Sequence, residues 1–231
     1  MRLAIKLLLL LLGQITVTES SDFPKQLQLR ALTATVRVQN PLRKTEGSGV
    51  IVGKTGNLLY ILTAQHIVKD GETVEIALYS EKTYPKIDQL YRNGRVVAQT
   101  ADLRDLALVR VPTEEMSPGV LQLCPLADIP KTDGFSSLAV GCALGQAPTT
   151  QIGTVQKRKV RQSAKGDSAY FWEWPTEMTR GRSGGPLLDK RGYVIGICSG
   201  NSNGKGYFTH AEEIHGFLKK NAFRWLAEED K

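Results

Sequence analysis

The chain has 231 residues, of which 41% are hydrophobic and 23% are charged, and its formal net charge is +7. This balance is typical of a globular protein, and the sequence contains neither an internal repeat nor a low-complexity tract, which excludes a repeat protein. The length suffices for one large all-β domain or for two packed barrels.

The first twenty residues predict a signal peptide, with the folded domain over 21–231. A basic start at 1–6 precedes an unbroken leucine run at 7–12, which continues weakly to Val17. This stretch falls short of the roughly 20 apolar residues of a membrane span and suits secretion. Ser20 permits cleavage although no Ala-x-Ala is present, and an uncleaved anchor is the alternative. We expect a secreted or periplasmic protein, with no stable membrane insertion unless the segment stays uncleaved.

Many short strand candidates follow, and their regular spacing predicts an all-β barrel or sandwich. They lie at 34–38, 50–52, 58–62, 74–78, 96–98, 106–111, 138–144, 152–155, 169–174, 186–188, 193–198 and 207–209. A stretch with two prolines, 124–135, predicts a linker between an N-terminal half at about 30–122 and a C-terminal half at about 136–210. Apolar residues at helical spacing then predict a C-terminal helix at about 211–228.

Three short motifs carry chemistry. A Gly-rich turn at 181–186 contains Ser183, the sequence Thr63-Ala64-Gln65-His66 ends one apolar run, and Asp105 opens another. Gly-rich turns are common in β-proteins. A serine hydroxyl becomes a useful nucleophile only beside a base, which a carboxylate then orients. Because a histidine and an aspartate precede the turn, this arrangement favours catalysis over an ordinary turn.

On these residues the sequence resembles a chymotrypsin-like (trypsin-like) serine peptidase, nearest the HtrA-type bacterial branch. The matching segments are 47–51, 63–66, 105–108, 139–145, 181–186 and 194–197. The resemblance implies two packed six-stranded antiparallel β-barrels with a C-terminal α-helix, and a triad that forms between the barrels. The HtrA-type branch continues into PDZ modules, which we expect to be absent here.

The resemblance also implies the roles of individual residues. Ser183 would attack the carbonyl carbon, His66 would act as base and Asp105 would orient the imidazole. Asp102 is a rival carboxylate, but Asp105 stands where the family motif places its aspartate. Ser199 matches a family serine that hydrogen-bonds the triad carboxylate.

The backbone N–H groups of Gly181 and Ser183 would form the oxyanion hole. The loop before Ser183 would shape the specificity pocket, where a buried Glu177 would favour basic substrate residues. The substrate-binding residues that we predict are Glu177, Ser199, Asn201 and Gly206.

Arg182 departs from the family, since trypsin has aspartate at this place and the HtrA-type branch has asparagine. In trypsin that aspartate pairs with a new N-terminus after zymogen cleavage, a route that Arg182 cannot follow. We expect the Arg182 side chain to point away from the site and to pair with Glu173 or Glu177.

The remaining features predict no cofactor and no metal site. Cys124, Cys142 and Cys198 allow at most one disulfide, and free cysteines often pack as small hydrophobes. A basic run at 157–159 would attract an acidic substrate, a cell-wall polymer or nucleic acid, or would form a solvated strand or loop. Because it lacks interleaved aromatics, we expect no nucleic-acid partner. The sequence assigns no oligomeric state.

The sequence therefore predicts a serine endopeptidase that acts on a protein or peptide through an acyl-enzyme. An inactive homologue that binds peptides or proteins is the alternative. An esterase is disfavoured, because its fold places the serine before the acid and the histidine in the chain.

Overall fold

A computed structural model describes residues 22–113, 119–164 and 166–228. The predicted signal peptide lies outside these ranges. Within them, no helix has both the length and the apolar character that a bilayer crossing demands.

The N-terminal half of the molecule is a closed six-stranded barrel. A helix that the sequence analysis missed, α1 (Lys25–Ala34), leads into it. The antiparallel strands follow the spatial order β1-β2-β3-β6-β5-β4. Their bounds are β1 (Thr35–Asn40), β2 (Thr45–Thr55), β3 (Leu58–Ala64), β4 (Thr73–Leu78), β5 (Gln89–Gln99) and β6 (Leu106–Pro112), and a single helical turn, α2 (Gln65–Val68), follows β3.

The C-terminal half is an open antiparallel sheet of seven strands in the order β8-β7-β11-β12-β13-β10-β9. Its strands are β7 (Ser136–Gly141), β8 (Thr149–Thr154), β9 (Lys157–Gln162), β10 (Ser168–Trp174), β11 (Pro186–Leu188), β12 (Val194–Ser202) and β13 (Lys205–His210).

The expectation of two closed six-stranded barrels is therefore only half met. Among the described residues, β8 pairs only with β7 and β9 pairs only with β10, so the two ends of the sheet do not join. The additional edge strand, β9, is the basic run that the sequence analysis left between strand and loop. Charged side chains on an edge strand discourage pairing with a further strand, which agrees with its end position.

A C-terminal helix packs on this sheet as predicted, but it is shorter than expected. Helix α3 spans Ala211–Lys220, and a 3-10 turn follows at Arg224–Ala227. The apolar face of α3 is buried through Ile214, Phe217 and Leu218. The His210 side chain caps the helix, because its Nδ1 accepts a hydrogen bond from the Glu212 N–H (3.2 Å).

One hydrophobic core joins the two halves. It combines Val50 and Leu62 of the barrel with Leu138 and Val194 of the open sheet. Each half also has a core of its own. The core of the barrel includes Ile61 and Val109, and the core of the open sheet includes Trp172 and Trp174. The shared core fixes the two halves against each other, which is the condition for a site built from both.

A buried carboxylate lies on β10 of the open sheet, beside Tyr207 of β13. Glu173 is only 2% exposed, and it accepts hydrogen bonds from Lys205 (2.7 Å), Lys159 (3.2 Å) and the Tyr207 hydroxyl (3.1 Å). Burial by itself would raise the pKa of Glu173, but these three donors outweigh it and lower the pKa from 4.5 to about 2.

This depressed pKa predicts an acid-dependent loss of stability. Between pH 4.5 and about 2 the unfolded chain protonates Glu173 while the native protein keeps it ionised. The ionised Glu173 carboxylate therefore stabilises the native protein fully above pH 4.5, and this stabilisation of about 3 kcal/mol is lost as the pH falls toward 2. We expect Glu173→Gln to flatten the plot of unfolding free energy against pH in this window, measured by urea denaturation.

The matched control is Glu228→Gln, which removes a half-exposed carboxylate paired with Arg224 on the surface. Exposed ion pairs contribute little to the free energy of unfolding. The plot of this free energy against pH for Glu228→Gln should therefore run parallel to that of the unmodified protein. If the Glu173→Gln curve also runs parallel, the lowered pKa of Glu173 does not cause the loss of stability in acid.

Candidate active site

The paired strands β3 and β6 bring His66 and Asp105 to the same end of the barrel. Ala64 pairs with Leu106 at that end, so the residues just beyond each strand become neighbours. His66 Nδ1 lies 2.7 Å from Asp105 Oδ2, and the His66 backbone N–H donates to Asp105 Oδ1 (2.9 Å). Because a carboxylate only accepts, Nδ1 carries the proton in this contact and Nε2 is left as the acceptor.

Asp105 is held in place by more than its histidine. Its backbone adopts φ +54°, an uncommon conformation for a residue with a side chain. The Ser199 hydroxyl donates to Asp105 Oδ2 (2.8 Å), which is the hydrogen bond expected of that serine. The rival carboxylate, Asp102, instead contacts the Arg104 guanidinium.

The turn that carries Ser183 lies between β10 and β11 and is pressed against the barrel. The Ser183 carbonyl accepts the Ser48 N–H (2.7 Å). Gly184 has φ +86°, and a Cβ at this position would overlap the Ser48 carbonyl oxygen. A side chain is therefore excluded at 184 both by the backbone conformation and by the close approach of the barrel.

The same turn leaves two backbone N–H groups available. Those of Arg182, Gly184 and Gly185 donate to the carbonyls of Thr179, Cys198 and Arg182. The N–H groups of Gly181 and Ser183 donate to no carbonyl in the described part of the chain. These are the two groups that the sequence analysis assigned to an oxyanion hole.

Ser183 itself is half-buried, while His66 is 43% exposed at the side chain. Across the described ranges, Ser183 Oγ makes no hydrogen bond, including none to His66. Catalytic contacts of this kind are often loose without substrate and tighten only in the reacting complex.

Arg182 points away from the site, as predicted, but the expected ion pair is wrong. Its guanidinium donates to the Thr149 carbonyl (3.2 Å) and hydroxyl (2.6 Å). No described carboxylate pairs with it, and its Nε has no described partner. Only 6% of the residue is exposed, and this burial lowers the pKa of the guanidinium. Glu173 is bound by lysines instead.

The loop before Ser183 places its carboxylate outward. Glu177 is exposed, and the next side chain, Met178, is 5% exposed and packs on Gly206. The Asn201 amide accepts from the Met178 N–H (2.7 Å) and donates to its carbonyl (2.8 Å), which ties the loop to β12. The condition under which Glu177 would favour basic substrates, its burial, is not met.

The other histidines and the cysteines have structural environments. Burial lowers the pKa of His210 to about 3, and His215 Nε2 donates to the Cys124 carbonyl (2.9 Å). All three cysteines are buried and unpaired. In the sections of the chain described, His66 is thus the histidine positioned for chemistry.

Sequence reasoning missed two contributors to this site. Ser48 was noted within a matching Gly-Ser-Gly segment, but nothing in the segment revealed that its hydroxyl reaches Gly181 and Cys142 (2.8 Å each). Met178 was missed as well, although its place next to the exposed Glu177 in an extended loop, where side chains alternate between outside and inside, was an available signal.

Comparison with known proteins identifies relatives of this chain. The model of the trypsin-like peptidase domain matches residues 47–197. A probable periplasmic serine endoprotease, DegP-like, from Chlamydia pneumoniae is 25% identical over 164 residues, 69% of this chain and 30% of that protein. The putative serine protease HhoA from Synechocystis is 31% identical over 156 residues, 66% of this chain and 36% of that protein. The chain thus spans about a third of the length of these relatives.

Solved structures share the fold. A serine endoprotease from Yersinia pestis has a TM-score of 0.65 at 23% identity, covering 86% of this chain and 66% of that one. The active form of the Rv3671c protease from M. tuberculosis has a TM-score of 0.63 at 20% identity, covering 82% and 81%. Because the family model matches residues 47–197, which is more than half of the chain, the chain belongs to the trypsin-like peptidase family.

Proposed function

We propose that the protein is a serine endopeptidase that hydrolyses peptide bonds through His66, Asp105 and Ser183 by way of an acyl-enzyme. The observation that carries the proposal is the double contact of one carboxylate with one histidine, through Nδ1 and the backbone N–H. A protein or peptide substrate agrees with the names of the relatives, which are serine proteases and endoproteases.

In the first half-reaction, Ser183 Oγ attacks the peptide carbonyl carbon while its proton passes to His66 Nε2. The carbonyl oxygen becomes an oxyanion, which the N–H groups of Gly181 and Ser183 stabilise. Collapse of this intermediate breaks the C–N bond, and the imidazolium gives its proton to the leaving amine. The product is an ester between Ser183 and the acyl half of the substrate.

In the second half-reaction, a water molecule gives a proton to His66 and attacks the ester carbon. The C–O bond to Ser183 breaks, the proton returns to Oγ and a carboxylic acid leaves. Asp105 stabilises the positive charge on the ring in both halves. The Ser199 hydrogen bond keeps that carboxylate aimed at Nδ1.

We further propose that the pocket for the residue before the scissile bond is apolar and shallow. Met178 and Gly206 are packed together where the sequence analysis placed the pocket. Asn201 has both ends of its amide committed to the Met178 backbone, so it supports the wall. Small aliphatic residues fit this space better than long basic ones.

The Chlamydia pneumoniae relative is named periplasmic. An extracytoplasmic location for this protein, with cleavage after Ser20, is a proposal that N-terminal sequencing of secreted material would test.

The triad predicts two linked results. A fluorophosphonate probe should label the protein, and Ser183→Ala should abolish the labelling because the probe needs the nucleophilic hydroxyl. Asp105→Asn should lower kcat by up to about 10⁴-fold, since the amide favours the wrong imidazole tautomer. Labelling by gel fluorescence and kcat on a casein-derived peptide are the measurements.

The matched control is Asp102→Asn, which removes a nearby carboxylate that contacts Arg104 rather than His66. Its kcat should remain within about threefold, since substitutions away from such contacts have small effects. If the purified protein is not labelled, the endopeptidase proposal fails, and the inactive homologue that binds peptides takes its place.

The pocket predicts a change of specificity. Met178→Ala should raise kcat/KM for leucine or phenylalanine before the scissile bond, relative to alanine, by about tenfold, because it enlarges an apolar pocket. The measurement is cleavage of a peptide library that varies only at this position.

Glu177→Gln serves as control and should leave the library profile unchanged, since the carboxylate is exposed. A strong preference for lysine or arginine that Glu177→Gln removes would overturn the apolar pocket.

A further inference from the structure

We propose that Ser48 is a positioning residue for the oxyanion hole, acting from the first barrel on the turn of the second sheet. The inference rests on the proposed function and deepens it, because it names what holds the two N–H groups in register. Its basis is a set of three hydrogen bonds that one residue makes to both sides of the hole.

The hole requires a fixed orientation of the peptide group between Arg180 and Gly181. The Arg180 carbonyl accepts the Leu144 N–H (2.8 Å). Because a trans peptide is planar, its N–H points opposite to its carbonyl. The contact with Leu144 therefore directs the Gly181 N–H away from the 142–145 segment.

The hydroxyl of Ser48 fixes the next peptide group and the supporting segment together. It donates to the Gly181 carbonyl (2.8 Å) and accepts from the Cys142 N–H (2.8 Å). Ser48 is fully buried, so no water competes for these partners. The backbone N–H of Ser48 also donates to the Ser183 carbonyl (2.7 Å).

These contacts close a ring. The Ser48 hydroxyl binds the Cys142 N–H, and two residues further along the chain the Leu144 N–H binds the Arg180 carbonyl. The residue after Arg180 is Gly181, whose carbonyl binds the Ser48 hydroxyl and so completes the ring. One hydroxyl thus sets the separation between the turn and the segment that orients it. Ser48 is itself fixed, since its carbonyl accepts the Thr63 hydroxyl (2.6 Å).

Loss of the hydroxyl has a definite consequence. Ser48→Ala would leave a buried carbonyl on Gly181 and a buried N–H on Cys142 without partners. Unpaired buried groups are costly, and rotation of the peptide groups toward other partners relieves the cost. Such a rotation turns the Gly181 N–H away from the oxyanion, so the effect should appear in the transition state more than in substrate binding.

The experiment compares Ser48→Ala with Ser137→Ala in the full chain. Ser137 is also fully buried and donates one hydrogen bond, to the Gly153 carbonyl (3.2 Å), far from the turn in its contacts. For each variant we would measure kcat, KM, the melting temperature and the inhibition constant of a peptidyl boronic acid, which forms a tetrahedral adduct with serine. Misplacement of catalytic groups costs up to about a hundredfold in rate.

We expect Ser48→Ala to lower kcat by about ten- to a hundredfold and to raise the inhibition constant of the boronic acid by a similar factor. KM should stay within about twofold of the value for the unmodified protein. Ser137→Ala should lower the melting temperature without changing the other constants. If Ser48→Ala keeps the kcat and boronic acid affinity of the unmodified protein, the proposal is wrong. It is also wrong if KM rises as much as the boronic acid affinity falls.

Should Ser48→Ala fail to fold, Ser48→Cys replaces it, because a thiol is a weaker donor and acceptor of similar size. Unchanged kcat and boronic acid affinity in this variant would overturn the proposal. Failure of the proposed function gives a different result, since the unmodified protein would then resist the fluorophosphonate.

Discussion

The site depends on the close approach of one turn to the barrel, where Gly184 lies against the Ser48 carbonyl. Only a residue without a side chain allows this approach. Two backbone contacts then follow, from the Ser48 N–H to the Ser183 carbonyl and from the Gly184 N–H to the Cys198 carbonyl. The first crosses between the halves of the molecule and the second anchors the turn to β12. Ser183 is thereby fixed relative to a histidine that belongs to the other half.

The hydrogen bonds of Asp105 also join the two halves of the molecule. Its carboxylate receives the His66 ring and backbone from the barrel, and the Ser199 hydroxyl from β12. A carboxylate with three donors stays oriented without a formal cation beside it. Because β12 also anchors Gly184, a single strand of the open sheet positions both the acid and the nucleophile turn.

The parts of this arrangement that a sequence can predict are those set by local pattern. Strand positions, the amphipathic C-terminal helix and the order of His66, Asp105 and Ser183 all follow from short motifs. The open form of the second sheet did not follow from the sequence. Its end strand is β9, and the charged residues of β9 are equally typical of a loop until their pairing with β10 is known. The partner of Arg182 is equally hidden, since Thr149 lies on β8 and carries no signal of charge.

Arg182 shows how the turn is ordered without an ion pair. In trypsin, which the sequence resembles, the residue before the nucleophile is an aspartate that pairs with a new amino terminus. Here that place holds a buried cation whose bonds go to a neutral carbonyl and hydroxyl. The turn is instead held by neutral hydrogen bonds from Ser48, Leu144 and Cys198. An α-amino group titrates near pH ~8, whereas these neutral groups do not titrate there. The order of this turn therefore depends on the docking of the two halves and not on the protonation of a chain terminus.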